Sequence, residues 1–438
     1  MHRFSFYSWL PLVAALYVSV GGCATPPSQP HVRPAPQASV VTTPPISAEP
    51  ATEEPVLEVQ SQPEVDVQPL TLDNPITPAI GEHAEDHIAL LLPLTSPAFE
   101  RAADAVRQGF FAAASSQRQI LPIKVYASAD ESKEVVALYQ LALANGAKAV
   151  AGPLTRDGVS TLADFSGIAV PTLVLNTVDN KNADHLYFFG LSVEAEARQI
   201  AQLATAAKLR YATIVSSGTP LARRLSTAFA EEWKALGGSI TEEILYKNDP
   251  AALALLPTHP GDAAPESGET LILRTDDEAN ADVMPPPTIA PGNLVFLAAE
   301  IEKARVIRPY LNPALPVYAT SQLFNGNTDT LTNYDLNDMH FVGMPWLLQP
   351  DHPAVMIYPR ANPPLEPDME RLYALGIDAF RLLNIMLKNS YRTALPLDGV
   401  TGRIHLINNQ FQREAIPAQL KQGRSLVNEA LLQKMPAR

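Results

Sequence analysis

The sequence predicts an α/β protein of two lobes, each a doubly wound and mainly parallel sheet, preceded by a disordered proline-rich tether. Three observations predict it. From His87 onward, short apolar runs alternate with helical stretches of roughly 10 to 18 residues, the pattern of βαβ units. The alternation restarts near residue 190, so two sheets are expected instead of one. From Ala24 to Ala79 neither helical nor strand period survives, because prolines recur from Pro26 to Pro78 and each fixes φ and restricts its predecessor.

Taken in order, Ile88–Pro93 is a continuous apolar run, as for a strand buried on both faces. Residues 99–116 read as a helix with Ala103, Val106, Phe110 and Phe111 on one face. A strand at 123–127, a helix at 132–145 ended by Asn145-Gly146, a strand at 149–152, a helix at 155–165 and a strand at 171–175 follow. Tyr187-Phe188-Phe189-Gly190 reads as a short apolar link. The second series has a helix at 194–209, a strand at 212–216, a helix at 220–236 stopped by Gly237-Gly238, and a strand at 239–246. An acidic, proline-rich insert at 257–292 interrupts, with Leu271-Ile272-Leu273 as a short strand inside it. Strands at 294–297 and 317–320 flank a helix at 301–311, and Met339–Met344 reads as a link. Residues 368–388 form a strong amphipathic helix carrying Leu372, Leu375, Ile377, Phe380, Leu383 and Met386. Residues 402–406 and 411–415 flank Ile407-Asn408-Asn409-Gln410 as a β-hairpin. The expected boundaries are 1–22 for a signal peptide, 23–85 for a lipidated cysteine and linker, 86–190 with 342–395 for lobe one, and 191–341 with 396–425 for lobe two. The long helix returns to lobe one and the terminal hairpin to lobe two.

The formal charge of −14 is unevenly placed. Residues 24–86 hold ten acidic residues and one basic, and residues 257–292 seven acidic and one basic. With Arg3 these stretches account for the whole net charge, so the rest of the chain is formally neutral. The 41 prolines are about 9% of the chain against a usual ~5%. An acidic balance without a basic stripe argues against nucleic-acid binding. A single cysteine, Cys23, excludes an intramolecular disulfide, a multi-cysteine zinc site and an iron–sulfur cluster.

The N-terminus has a short basic start, an apolar stretch from Phe4 to Val20 and small residues before Cys23, the parts of a secretory signal. A membrane span competes, since about 17 apolar-rich residues approach the lower limit for crossing. The position of the sole cysteine directly after Gly21-Gly22 decides, because Val20-Gly21-Gly22-Cys23 resembles the bacterial lipobox. That resemblance implies cleavage before Cys23 and its acylation, and multiple acyl chains anchor stably where one does not. Ala24, where an aspartate would retain the protein in the inner membrane, implies the outer membrane, facing the periplasm. The tether would then reach ~190 Å fully extended and ~45 Å as a flexible coil.

Catalytic motifs are absent. There is no phosphate-binding loop, no Gly-x-Ser-x-Gly elbow, no His-Glu-x-x-His and no dinucleotide-binding glycine pattern. His83 and His87 have helical metal-ligand spacing, but Gly81 and the strand starting at Ile88 argue against a helix there. An enzyme, a metal and a cofactor are therefore not expected. Ligands in such folds sit at the carboxyl ends of strands or between lobes. The candidate contacts are Thr95, Ser96, Thr155, Arg156, Asn176, Thr177, Ser321 and Gln322. Ser96 and Thr155 can bond a carboxylate and Arg156 can pair with one; equally, Ser, Thr and Asn there can cap the following helices.

Ile88-Ala-Leu-Leu-Leu-Pro-Leu-Thr95, Ala105-Val-Arg-Gln-Gly-Phe110 and Ala151-Gly-Pro-Leu154 resemble the opening of type I periplasmic binding proteins of the Leu/Ile/Val class. Phe188–Ser192, Glu194–Gln199, Tyr318–Gln322, Met344–Leu348, Arg371–Phe380 and Gly399–Arg403 resemble the C-terminal domain of LpoA-type penicillin-binding protein activators. The likeness runs over roughly 87–425 and implies a non-enzymatic regulator in the outer membrane that binds a class A penicillin-binding protein and stimulates peptidoglycan synthesis. In this family the helical-repeat N-terminal domain would precede the matched part; here the tether stands in its place. The insert at 257–292 is a second departure. The alternative is a lipid-anchored receptor whose cleft holds a small molecule, an amino acid or peptide-like solute.

Overall fold

A computed structural model describes residues 84–116, 121–178, 181, 183–247, 293–326 and 329–432. The signal peptide, Cys23, the linker and the acidic insert with its expected strand at 271–273 lie outside the described residues.

The chain begins as expected for βαβ units. Strands β1 (His87–Leu92), β2 (Ile123–Ala127), β3 (Ala147–Ala151), β4 (Thr172–Val174) and β5 (Leu186–Phe189) lie parallel to their neighbours. Helices α1 (Glu100–Ser116), α2 (Glu131–Ala144) and α3 (Arg156–Ala163) connect the first four. All six residues of β1 are buried, which is why it reads as an unbroken apolar run. The segment at 187–190, expected as a link, contains β5. It lies inside the sheet, so its residues are apolar on both faces, and at four residues it is too short to show a period.

The second series runs α4 (Val193–Ala206), β6 (Tyr211–Ser216), α5 (Pro220–Ala235), β7 (Ser239–Leu245), β8 (Asn293–Ala298), α6 (Ile301–Ile307), β9 (Val317–Ala319) and β10 (His340–Gly343). Here too a supposed link, 339–344, contains a strand: β10 pairs in parallel with β9. Ser192 and Thr219 start their helices by accepting from the N–H groups of Ala195 and Ala222. Short helices α7 (Pro345–Leu348) and α8 (Pro353–Met356) lead to α9 (Pro367–Leu387) and α10 (Tyr391–Ala394). The chain ends with β11 (Leu397–Asp398), β12 (Arg403–Ile407), β13 (Gln410–Glu414), β14 (Ile416–Lys421), β15 (Arg424–Val427) and α11 (Glu429–Leu432).

Two sheets result. The first has eight strands in the order β11-β12-β13-β5-β4-β3-β1-β2, the second seven in the order β15-β14-β10-β9-β8-β6-β7. The hairpin β12–β13 is present, its turn made by Asn408 and Asn409 at φ 47° and 62°, the left-handed pair that a tight hairpin needs. Its expected place in lobe two is corrected: β13 pairs in parallel with β5 of the first sheet, Gln410 opposite Phe188 and Phe411 opposite Phe189. Phe411 is thereby buried against Tyr187. The strands after residue 415 join the second sheet instead.

Each sheet carries an apolar cluster on either face. On the first sheet α9 lies along α1, with the Phe110 and Phe380 rings edge to face at 5.2 Å. On the second, Phe229 stacks on Phe296 with ring centroids 4.0 Å apart and on Trp233 beyond it. Over the described residues the chain passes between sheets three times, after β5, after β10 and after β13.

Candidate functional site: strand-end loops and lobe-bridging contacts

Because the strands of each sheet are mostly parallel, their carboxyl ends gather loops at one edge, where such folds place ligands. In lobe one these loops border a cavity of about 660 Å³, lined by Ser96, Thr155, Arg156 and Asn176 together with the apolar Phe99 and Leu372. Four of the eight candidate contacts therefore meet at one cavity. Thr177, with Arg156, lines a second groove of about 750 Å³ between α4 and the β12–β13 hairpin. Thr95, Ser321 and Gln322 line neither.

What these residues do locally is visible. The Gly158 N–H donates to Thr155 Oγ at 3.2 Å, so Thr155 caps α3. Asn176 Nδ2 donates to the Leu154 carbonyl at 3.0 Å and its Oδ1 accepts from the Thr177 N–H. Ser96 is buried and its carbonyl accepts from the Phe99 and Glu100 N–H groups. Thr95 is exposed, its N–H bonded to the Ser128 carbonyl.

Glu131, which the sequence pattern does not single out, also lines the lobe-one cavity. Glu131, at the start of α2, is buried, and its carboxyl accepts from the Leu154 N–H at 3.0 and 3.1 Å and from the Thr155 N–H at 2.6 Å. These are the amides that lead into α3, a natural cradle for an acidic group. Burial pushes the Glu131 carboxyl above the usual glutamate range, against the opposing pull of the bonds from Leu154 and Thr155. A carboxyl raised in the folded state contributes stability that is present below its unfolded value of 4.5 and is lost as pH rises through the folded value. Glu131→Gln is therefore expected to flatten the fall in stability above about pH 4.5. Urea midpoints across pH check this; parallel profiles for the two chains would contradict it.

Lobe two repeats the arrangement with different residues. Ser217 Oγ donates to Glu300 Oε2 at 3.1 Å and Thr219 Oγ1 to Glu300 Oε1 at 2.7 Å, joining the loops after β6 and β8. At the first crossing, Glu194 takes Arg224 from α5 and, more loosely at 3.4 Å, Arg156 from lobe one. Burial alone would raise the Glu194 carboxyl, but its own backbone N–H, Arg224 and Ser192 outweigh it and hold it below the usual range.

The lobes are joined by buried polar contacts. Arg371 of α9 reaches the loop after β9, donating to Ser321 Oγ at 2.7 Å, to the Ser321 carbonyl at 2.7 Å and to the Phe324 carbonyl at 2.6 Å. The Ser321 N–H donates to Glu196 Oε2 at 3.0 Å, and the other Glu196 oxygen pairs with Arg413 of β13. One turn along α4, Gln199 holds both backbone groups of Ala415 at the third crossing, at 2.7 and 3.0 Å. Ser321 thus serves the joint between lobes and does not face an open pocket. Among the described residues, no group of three or more His, Cys, Asp or Glu is placed to hold a metal.

Two sheets with strand-end loops facing a three-crossing joint define a two-lobed chain of the periplasmic-binding-protein class. The model of the LppC putative lipoprotein family matches residues 79–423, and the chain belongs to that family. Among curated relatives, the penicillin-binding protein activator LpoA of Photobacterium profundum is 24% identical over 351 residues, covering 75% of this chain and 55% of the relative. The chain spans about half the length of the curated relatives it matches. The C-domain of LpoA from Haemophilus influenzae, described as a regulator of PBP1A, aligns with TM-score 0.60 at 21% identity over 78% of this chain and all of that one. A Chromobacterium violaceum structure described as a putative branched-chain amino acid ABC transporter aligns with TM-score 0.60 at 34% identity over 77% of this chain and all of that one.

Proposed function

We propose that this chain is an outer-membrane lipoprotein, anchored through Cys23 and facing the periplasm, that binds and activates a class A penicillin-binding protein and so regulates peptidoglycan synthesis. The observation that carries the proposal is the family match over 79–423, with curated relatives named as penicillin-binding protein activators. Activation then works by population shift: the chain binds the synthase's active state more tightly than its resting state, and only that difference raises the rate. The similarity at 34% identity to the structure described as an amino acid transporter component favours a second reading, a lipid-anchored solute receptor. Against it, several strand-end donors are already bonded to the chain's own carboxyl groups.

Binding of the purified synthase to the immobilised full chain tests the proposal. Saturable binding is expected. A chain that ignores the synthase but gains thermal stability with an amino acid or a peptide would support the receptor reading.

A further inference from the structure

Several strand-end donors have partners here from the chain itself. In lobe one, Glu131 fills the amide cradle before α3. In lobe two, Glu300 takes the hydroxyls of Ser217 and Thr219. Arg371, by contrast, joins one lobe to the other. Its side chain belongs to α9, which is packed in the lobe-one core, yet its three short hydrogen bonds all end on lobe two. Arg371 is only 9% exposed, and a buried guanidinium holding two carbonyls and a hydroxyl in a rigid fork fixes distance and angle together. Beside it, Glu196 and Arg413 make a second buried pair between α4 and β13.

We infer that Arg371 is a latch that holds the lobes in one relation without a solute. The inference rests on reading the chain as an interaction protein, and it gives that reading a physical basis. In a receptor, the ligand supplies the contacts that favour one lobe arrangement. Here Arg371 supplies such contacts permanently, while Glu131 and Glu300 occupy donors of their own lobes. A surface spanning both lobes is then presented ready-made, and the partner's apparent affinity is not reduced by the fraction of molecules in a competent state. Removing Arg371 leaves the Ser321 and Phe324 carbonyls without their donor at the joint. Water then enters, and the lobes are held at the joint only by the remaining contacts such as Glu196–Arg413.

The test is the distance between lobes in solution. The full chain carries Cys23→Ser, and nitroxide labels are attached at Leu141→Cys on α2 and Leu236→Cys after α5, both accessible positions on different lobes. Pulsed electron resonance on this chain is expected to give one narrow distance that millimolar leucine or alanyl dipeptide does not alter. Arg371→Met is expected to broaden the distribution and add a longer component. Arg371→Lys keeps the charge but loses the fork, so it is expected to broaden the distribution less, and it decides the matter where the methionine variant does not fold. A native distribution that narrows or shifts with solute overturns the inference. So does a lysine variant that superimposes on the native chain. Synthase binding, measured separately on the unlabelled chain, decides the activator reading independently of this result.

Discussion

Alanine at Gly109 or Gly376 is expected to be among the most damaging small substitutions at the described residues. Both glycines are inside helices, where alanine is ordinarily better by about 1 kcal/mol. Here the backbone of the neighbouring helix stands in the way. A Cβ on Gly109 would lie 1.9 Å from the Tyr373 carbonyl oxygen, and one on Gly376 would lie 2.1 Å from the Val106 carbonyl oxygen. Each obstacle is main chain of a facing helix, so no side-chain rotation relieves it. The α1–α9 pair must separate, and with it the Phe110–Phe380 contact and the cluster around them. Overpacking of this kind costs about 3 kcal/mol or more when backbone must move. Urea unfolding followed by circular dichroism is expected to show a large loss of midpoint or no native baseline for either variant. A midpoint equal to that of the native chain would mean that the helices do not meet as described.

The second large effect is expected at Asp378, which is fully buried on α9. Its Oδ2 accepts from the Thr401 N–H at 2.8 Å and the Thr401 hydroxyl at 2.7 Å, while Oδ1 accepts from the Val400 N–H at 3.1 Å and pairs with Arg381 at 2.9 Å. The carboxylate therefore pins the segment that leads from α9 into the β12–β13 hairpin. Asp378→Ala strands two buried amides and a hydroxyl, at a cost of about 3–5 kcal/mol. Asp378→Asn keeps the shape but offers only one accepting oxygen, and its amide group faces donors, so a loss of about 2 kcal/mol is expected. Chemical unfolding of the two variants gives the ordering directly. A harmless alanine variant would show that the 400–401 segment is held by something else.

Much of this architecture was legible because burial writes itself into sequence. Strands covered on both faces, such as β1 and β8, are apolar runs after their first residue. Helix α9 shows its apolar stripe over many turns. The strands β5 and β10 were read as links because four residues carry no period. The hairpin was recognisable from its asparagine turn, but its lobe was not, since β13 finds its parallel partner β5 through the fold and not through neighbouring sequence. The same limit applied to the site. The loops that bring Ser96, Thr155, Arg156 and Asn176 together follow from strand ends. Glu131 did not stand out, because an acidic residue in the first turn of a helix is ordinarily a solvated partner of the helix dipole. Nor did Arg371, which on α9 reads as part of the polar face. In both cases the function of the residue is set by what lies opposite.

The measurement that bears most directly on the account is the rate of glycan polymerisation by a purified class A penicillin-binding protein, titrated with the full chain in detergent and without added solute. The account predicts a saturable rise in rate that an amino acid or peptide does not alter. A rate unchanged at concentrations where the two proteins are shown to bind, or a rise that appears only when a solute is supplied, would contradict it.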